Sequence, residues 1–361
     1  MLKRLLTALF ISALACATVI AQELSPTHLH QPTLTPQNSG TTSGLIAVWP
    51  VNPQVVWASG RAGTFTVTTD GGQTWRAGVV PGAEALQFRD VQAFSASVAY
   101  LMSIGANPTD FRVYKTLDSG ATWTIQFENQ NPLAFYDAFA FWTPHRGILH
   151  SDSVNGVFPD FRTTDGMSWQ DISNNMPPAL PGEFSFASSG TCVTTQGGRN
   201  AWICTGGSDI ARVLATRDGG DTWNAYNTPL VSSPSAGAFT VDFRDPHNGI
   251  VGGGDLDPGD PNNARTAISN DGGQTWTLTN PPPVTGAIFG LSYVGHSGGG
   301  VGDSGRAVVI TANDGGAAWT PDEGNTWFAL PDVSGFWAVA FATPKAGWLV
   351  GTDGRILKIS F

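Results

Sequence analysis

A short motif that recurs at a near-constant interval constrains the fold of this chain more than any other feature of its sequence. Five copies have the form Ser/Thr-x-Asp-x-Gly-x-x-Trp, and a sixth is one residue shorter: TTDGGQTW (68–75), TLDSGATW (116–123), TRDGGDTW (216–223), SNDGGQTW (269–276), TPDEGNTW (320–327) and TTDGMSW (163–169). Successive closing tryptophans are separated by 48, 46, 54, 53 and 51 residues. A period of this size indicates an array of equivalent structural units.

Each motif has the chemistry of a tight turn between two strands. The Asp carboxylate accepts hydrogen bonds from nearby backbone N–H groups, and the Gly that follows tolerates a positive φ. The Trp begins the next strand and buries a large surface over the turn. We therefore predict structural roles for Asp70, Trp75, Asp118, Trp123, Asp165, Trp169, Asp218, Trp223, Asp271, Trp276, Asp322 and Trp327.

Four predicted strands follow one another in each unit. A short polar strand comes after the Trp, then a first apolar strand, a second apolar strand and a strand that leads into the next motif. The first apolar strands are predicted at FRDVQAF (88–94), FYDAFAF (135–141), EFSFASS (183–189), AFTVDFR (238–244), IFGLSYV (288–294) and FWAVAF (336–341). The 44 Gly and 24 Pro among 361 residues disfavour long helices. Four-stranded units of this length are typical of β-propeller blades, so we predict an all-β propeller.

The two ends of the chain complete the number of blades. The segment LTPQNSG (34–40) resembles the strand that follows each Trp, whereas residues 335–361 supply three strands and no further motif. A seventh blade that joins three C-terminal strands to one N-terminal strand leaves no open sheet edge. We predict one seven-bladed propeller of four-stranded antiparallel blades over residues 37–361, after a linker over residues 22–36.

Residues 1–21 have the features of a secretory signal peptide. Lys3 and Arg4 precede an uncharged apolar run over residues 5–20, and residues 19–21 fit a small-residue cleavage site. The run is shorter than a bilayer-spanning helix requires, and no later segment is long and apolar enough to span a membrane. We therefore expect an exported chain, periplasmic or secreted, with no transmembrane segment after cleavage.

Two cysteines stay in the chain after cleavage. Cys192 and Cys204 flank Gly197 and Gly198, and a hairpin that turns at the two glycines places the cysteines opposite each other on adjacent strands. An exported protein can oxidise such a pair to a disulfide. Two buried free thiols are the alternative.

The octapeptides resemble the Asp-box, or BNR, repeat of sialidases, xyloglucanases, sortilin-type receptors and the photosystem II assembly/stability factors. The chain length, the leader and the run of single blades are most similar to the last group, in particular to its bacterial relatives outside photosynthesis. The resemblance covers nearly the whole mature chain. It implies a propeller with the motifs at the blade edges, and it says less about activity because families with the same fold differ in function.

Several classes of activity find no support in the sequence. Sialidases carry a Phe/Tyr-Arg-Ile-Pro segment, and none of the four Phe-Arg pairs here, at Arg89, Arg112, Arg162 and Arg244, is followed by Ile-Pro. Xyloglucanases of this type have two propellers, and this chain is long enough for one. We find no dinucleotide fingerprint and no His-rich metal motif, so no cofactor is predicted. A net charge of −10 with few, scattered basic residues argues against nucleic-acid binding.

Polar residues in the first apolar strands are the candidates for a site at the mouth of the central channel. Asp90 and Asp137 are predicted at matching positions in consecutive blades, and with Glu183 they are the candidates for a catalytic pair. Structural roles as strand caps or ion-pair partners are the favoured interpretation. The full set of channel-mouth candidates is Arg89, Asp90, Tyr136, Asp137, Glu183, Asp242 and Arg244.

The loop GGGDLDPGDPNNAR carries closely spaced oxygen ligands at Asp255, Asp257 and Asp260, which is a possible calcium site. It lacks the order of an EF-hand, and a solvated acidic loop is favoured. We expect a monomeric, non-enzymatic propeller that binds another envelope or secreted protein as an assembly or stability factor. A glycoside hydrolase or lyase that acts on an extracellular glycan, and a carbohydrate-binding propeller, are the alternatives.

Overall fold

The structure is a computed structural model that describes residues 31–257, 264–295 and 305–361. These residues form seven four-stranded antiparallel sheets, which confirms the predicted all-β, seven-bladed propeller. The predicted signal peptide, residues 1–21, lies outside the described residues. Among the described residues, no helix is long and apolar enough to cross a membrane.

The strands are numbered in chain order, and each blade runs from its innermost to its outermost strand. Strand β1 (Thr33–Asn38) belongs to the last blade. The first three blades are β2 (Leu45–Pro50), β3 (Val56–Gly60), β4 (Thr64–Thr68) and β5 (Arg76–Val79); β6 (Gln87–Ala93), β7 (Ala99–Ile104), β8 (Arg112–Thr116) and β9 (Thr124–Glu128); and β10 (Tyr136–Thr143), β11 (Arg146–Ser151), β12 (Phe161–Thr163) and β13 (Gln170–Asp171).

The next three blades are β14 (Val193–Gln196), β15 (Asn200–Thr205), β16 (Arg212–Thr216) and β17 (Asn224–Asn227); β18 (Ala236–Phe243), β19 (Gly249–Asp255), β20 (Thr266–Ser269) and β21 (Thr277–Leu278); and β22 (Gly290–Tyr293), β23 (Val308–Thr311), β24 (Ala317–Thr320) and β25 (Phe328–Ala329). The seventh is β26 (Phe336–Thr343), β27 (Ala346–Gly351) and β28 (Arg355–Ser360) with β1. Single-turn 3₁₀ helices lie at Pro108–Asp110, Ser173–Asn175 and Thr352–Gly354.

The seventh blade closes the ring with strands from both ends of the described chain. β1 pairs antiparallel with β28, from Thr33 opposite Ser360 to Asn38 opposite Arg355. The first strand therefore begins inside the segment 22–36 that was predicted as a linker. Pro36 is tolerated there because β1 is an edge strand, where a missing N–H breaks no ladder.

A side chain of β1 also joins the first and seventh blades. The carbonyl oxygen of Gln37 accepts hydrogen bonds of 3.1 Å from the indole N–H groups of both Trp75 and Trp348. Lys358 adds a 3.1 Å hydrogen bond to the carbonyl of Gly71. The closure thus rests on side chains as well as on the strand ladder.

The octapeptide turns have the predicted hydrogen bonds, as the turn around Asp118 illustrates. Its carboxylate accepts the N–H and the hydroxyl of Thr122 at 2.8 and 2.6 Å and the hydroxyl of Thr116 at 2.9 Å. The hydroxyl of Thr116 in turn accepts the N–H of Gly120, whose φ is +81°. These hydrogen bonds hold the pKa of Asp118 below its usual range.

The core lies between neighbouring blades. Trp202 of the fourth blade stacks on Phe243 of the fifth at a centroid distance of 3.7 Å. The octapeptide Trp123 packs edge-on against Phe65 of the preceding blade at 5.3 Å. The closing tryptophans therefore join blades to one another in addition to covering their own turns.

Candidate functional site

A β-bulge near the start of the innermost strand determines which side chains face the mouth of the central channel. In five blades one extra residue interrupts the pairing of the first two strands, and a bulge of this kind redirects a side chain. The extra residues are Ile46, Arg89, Asp137, Phe239 and Trp337. The last four of them line one cavity.

The bulges correct the predicted pairing of Asp90 with Asp137. Asp90 lies opposite Met102 and Ala138 opposite His150, so the residue that matches Asp137 in the second blade is Arg89. A one-residue shift moves a side chain to the other face of a strand. Asp90 and Asp137 accordingly line different cavities and do not form the predicted pair.

The segment predicted as the innermost strand of the fourth blade instead lies across the channel. Residues 184–191, here the plug segment, precede β14, which forms the actual innermost strand. The carbonyl of Ala187 accepts a 3.0 Å hydrogen bond from Arg89 of the second blade. The hydroxyl of Ser189 donates to the carbonyl of Phe289, beside the sixth blade, at 2.5 Å. The plug segment therefore bridges blades on different sides of the channel.

A glycine allows the plug segment to approach the second blade closely. Gly190 has a φ of +75°, and a Cβ atom there would stand 2.4 Å from a carboxylate oxygen of Asp90. Glycine is the residue that permits both this backbone conformation and this contact.

Two cavities lie on the two sides of the plug segment. The larger, about 350 Å³ and here the mouth cavity, lies where the innermost strands begin and is lined by Phe184–Ser188. The smaller, about 70 Å³, is lined by Ser189–Thr191 together with residues of the innermost strands. Because the repeated motifs connect the third and fourth strands of the first six blades, they lie at the end of the propeller opposite the mouth cavity.

Aromatic rings form a continuous arc around the mouth cavity. Phe186 of the plug segment stacks on Phe239 at a centroid distance of 3.7 Å, Phe239 contacts Phe289 at 5.8 Å, and Phe289 contacts Trp337 at 5.2 Å. The cavity is also lined by Ile104, Phe135, Phe184 and Leu256, the last of which is 51% exposed. Phe186 and Phe239 are buried within the arc, and the partly exposed Phe289 and Trp337, with Leu256, present apolar surface to a ligand.

Arg89 lies at the edge of the aromatic arc with its guanidinium already engaged. It donates to the carbonyl of Ala187 and to the side chain of Gln87 at 2.9 Å, and it lies over the ring of Trp337 at 5.6 Å. Burial, with a smaller contribution from Arg61, lowers its pKa to about 10. The side chain still carries a full charge at neutral pH.

Two carboxyl groups, those of Asp137 and Asp152, face each other in the mouth cavity. Asp137 is 1% exposed, and neither of its oxygens accepts a well-aligned hydrogen bond from any described residue. The Asp152 carboxyl and the amide of Ala187 are the polar groups beside it. Burial raises the pKa of Asp137 well above its usual range, and the neighbouring Asp152 raises it further. Burial raises the pKa of Asp152 to about 6.

A Ser–His–Asp arrangement lies next to this pair. His150 contacts the carboxylate of Asp160 at 2.9 Å through Nδ1 and the hydroxyl of Ser185 at 2.8 Å through Nε2. Ser185 also lies 2.8 Å from the carbonyl of Cys204, and its own N–H donates to Asp152. Acyl transfer at Ser185 would develop negative charge beside Asp137 and Asp152, and these two carboxyl groups would disfavour that charge. The arrangement is therefore poorly suited to nucleophilic catalysis. We interpret the arrangement as a clamp that holds the plug segment on the third blade.

Sequence reasoning missed Asp152, His150 and Ser185. For His150 and Asp152 the available signal was the segment RGILHSD (146–152), a predicted second apolar strand that ends in these two titratable residues. The second strand of a blade runs antiparallel to the innermost strand, so it ends beside the mouth cavity. The apolar pattern of a strand does not show this position, which is why these residues were not assigned to the site.

Glu183 is not a catalytic candidate in this structure. Its carboxylate forms an ion pair with Arg212, accepts the hydroxyl of Thr205 at 2.6 Å and accepts the N–H of Leu180 at 2.7 Å. It is 1% exposed and does not line the mouth cavity. This carboxylate anchors the loop before the plug segment.

The other predicted channel residues connect blades. Asp90 accepts the N–H of Phe139 at 2.9 Å, and Asp242 accepts the N–H of Tyr293 at 2.9 Å, each from the next blade. Both line the smaller cavity. Arg244 forms an ion pair with Glu323 at 2.6 Å, in the octapeptide of the next blade. Tyr136 is buried, and its hydroxyl lies 3.3 Å from the carbonyl of Pro159.

The cysteines lie directly opposite each other, as the hairpin required. The N–H of Cys204 donates to the carbonyl of Cys192 at 2.9 Å, and both side chains are buried free thiols in this structure. Burial raises the pKa of each thiol well above its usual value.

In the predicted calcium loop, Asp255 accepts the hydroxyl of Ser235 and the N–H of Asp257. Asp260 lies outside the described residues. Within the described ranges, no group of three His, Cys, Asp or Glu side chains is placed to hold a metal ion.

Comparison with known proteins relates this chain to one group of propellers. No protein-family model matches it. The chain is 25% identical over 239 residues to the chloroplastic photosystem II stability/assembly factor HCF136 of Cyanidioschyzon merolae, which covers 62% of this chain and 51% of the relative. The two are homologous, which confirms the resemblance to the assembly factors, and the chain spans about half the length of this curated relative.

Solved structures share the fold. YCF48 from Cyanidioschyzon merolae has a TM-score of 0.62 at 16% identity over 91% of this chain and 98% of that one. YCF48 bound to a D1 peptide has a TM-score of 0.59 at 17% identity over 91% and 97%. The WD40 propeller of Doa1 reaches 0.57 at 12% identity over 91% and 97%.

Proposed function

We propose that this chain is an exported, non-catalytic propeller that binds a segment of another envelope or secreted protein in its mouth cavity and assists the assembly or stability of that protein. The observation that carries the proposal is the mouth cavity itself. A ring-shaped scaffold holds an aromatic wall, a buried carboxyl pair and a closed floor in one concavity, which is the usual form of a ligand site. The plug segment closes the channel beneath the cavity, so a ligand enters from one face.

The homology supports a binding role. One of the similar propellers, YCF48, is known with a bound D1 peptide, and a propeller that holds a peptide needs no reactive groups. Export of this chain is supported by the signal-peptide features of residues 1–21.

The arrangement of carboxyl groups favours binding over glycan hydrolysis. Glycosidases hold two carboxyl groups about 5–10 Å apart to accommodate the sugar and its attacking group. Asp137 and Asp152 are close enough to share a proton, and Asp90 accepts backbone hydrogen bonds in the other cavity. The pair that motivated the hydrolase alternative is therefore not formed.

Site-specific photo-crosslinking tests the proposal. A photo-reactive amino acid replaces Leu256 at the rim of the mouth cavity, and in a matched control it replaces Met167 of the shortened motif (163–169) at the opposite end. The two side chains are 51% and 65% exposed. In cells that produce the protein, we expect adducts with one exported protein from position 256 and none from position 167. Equal yields, or no adduct from position 256, would contradict binding at the mouth.

A further inference from the structure

Asp137 stands apart from the other buried acids described around the channel. The carboxylates of Asp90 and Asp242 accept backbone N–H groups from the next blade, Glu183 is paired with Arg212, and Asp160 is paired with His150. Asp137 is as buried as these, yet neither of its oxygens accepts a well-aligned hydrogen bond from the described residues. A buried carboxyl without well-aligned hydrogen bonds destabilises a folded protein. Asp137 is therefore better explained by a role in binding than by a role in folding.

The nearest cation of the mouth cavity is engaged with other groups. The guanidinium of Arg89 donates to Ala187 and Gln87 and lies over Trp337. No ion pair joins Arg89 to Asp137 or Asp152 among the described residues. Because Arg89 and Asp137 are the bulge residues of adjacent blades, each is held by its own strand and points to its own part of the cavity.

The walls around the carboxyl pair suit a cation on an apolar stem. Phe135, Phe184 and Phe186 line the cavity with Asp137 and Asp152. Aromatic faces attract ammonium and guanidinium groups, and they also cover the methylene groups of a long side chain. The cavity volume of about 350 Å³ accommodates such a side chain.

We propose that Asp137 and Asp152 bind the basic side chain of a partner segment, a lysine or an arginine inserted into the mouth cavity. The identity of the partner rests on the proposed function, whereas the preference for a cation does not. The partly exposed Asp152 carboxylate attracts a cation and repels an anionic ligand, and Asp137 beside it, which accepts no well-aligned hydrogen bond from the described residues, adds acceptor capacity for the N–H donors of that cation. Recognition thus depends on one inserted charge within an otherwise apolar contact.

Small side-chain analogues test this proposal without a known partner. Binding of n-butylguanidinium, n-butylammonium and the neutral isostere n-butylurea to the whole protein is measured by protein-observed NMR at pH 7.5. We expect one or both cations to bind about tenfold more tightly than the urea, which corresponds to roughly 1.4 kcal/mol. The first two ligands distinguish an arginine from a lysine as the inserted residue.

Two isosteric variants locate the effect. Asp152→Asn is expected to remove the preference for cations over the urea, while Asp90→Asn, a buried acid of the smaller cavity, is expected to keep it. Circular dichroism checks that both variants fold. Should Asp152→Asn fail to fold, Asp152→Ser replaces it with the same expectation.

Equal affinity for the urea and the cations, no measurable binding of either cation, or an unchanged preference in the Asp152 variant overturns the proposal. Mouth-specific crosslinks together with any of these results leave the protein-binding function standing and remove only the role of the carboxyl pair. A cation preference without mouth-specific crosslinks would support the role of the carboxyl pair and contradict the proposed protein-binding function.

Discussion

The substitution Asp137→Asn is expected to stabilise the protein above neutral pH and to leave it unchanged in acid. Burial raises the pKa of Asp152 to about 6 from a usual value of 3.8. At about 1.36 kcal/mol per pKa unit, ionisation of this group in the folded protein costs about 3 kcal/mol. Burial, and next the neighbouring Asp152, raise the pKa of Asp137 well above its usual range as well, so this group carries a cost of the same order. Asparagine removes the cost of Asp137 because it has the shape of aspartate, does not ionise and can donate its amide to the Asp152 carboxylate.

The sign of the pH dependence follows from proton binding. Because the pKa values of both carboxyl groups are raised in the folded state, the folded protein holds more protons than the unfolded chain above pH 4. The free energy of unfolding therefore falls as the pH rises through about 6. His150 with Asp160, and Arg89, also face this region, and they are the same in both proteins.

Thermal unfolding at pH 4 and pH 8 measures the effect. We expect the Tm of Asp137→Asn to exceed that of the unsubstituted protein by about 3–5 °C at pH 8, and the difference to vanish near pH 4. Asp332→Asn, an exposed position, serves as the control with no expected change. If the Tm values of the variant and the parent protein run parallel from pH 4 to pH 8, the interpretation of the carboxyl pair is wrong.

Three further predictions follow from individual contacts. Asp218→Ala is expected to lower the free energy of unfolding in urea by about 1 kcal/mol at pH 7. Burial alone would raise the pKa of Asp218, but its hydrogen bonds outweigh burial and lower this pKa to about 2. The difference between variant and parent protein therefore disappears as the pH falls through that value. Glu183→Gln breaks the buried ion pair with Arg212 and is expected to cost about 3 kcal/mol or more in urea unfolding, with no change in cation binding at the mouth. Gly190→Ala is expected to destabilise the protein by roughly 2 kcal/mol and to lower its Tm by several degrees, because the added methyl group would clash with the second blade. Gly197→Ala, also at positive φ but with open space around it, is the control and is expected to lose less. Equal losses would show that the plug segment has room to move.

The architecture was predictable because its information is local and repeated. Each octapeptide closes its own turn through contacts within a few residues, as Thr116, Asp118 and Thr122 do. Six such turns at a regular interval define the blades and their number. The closure by β1 and β28 was predictable for the same reason, since the last blade lacked one strand and the first segment supplied it.

The site was not predictable because it depends on single-residue shifts and long-range contacts. A bulge turns Asp137 toward the mouth cavity while Asp90 remains on the ladder of its strand, and no pattern of apolar residues distinguishes the two. The apolar alternation of residues 183–189 is satisfied by aromatic stacking on the neighbouring fifth blade, with Phe186 on Phe239, instead of by a strand. Asp152 joins the site through the ring topology alone.

The closure of the ring has a consequence for the order in which the chain matures. Gln37 receives hydrogen bonds from Trp75 and from Trp348, a residue 311 positions later. During synthesis, six sheets can pair within themselves as they emerge, but β1 must wait for Arg355–Ser360. Until then β1 cannot pair with β28, so the first and seventh blades are not joined and the wall of the mouth cavity is incomplete. The mouth cavity therefore takes its final form only after Ser360 has been made, when the other six sheets can already have paired.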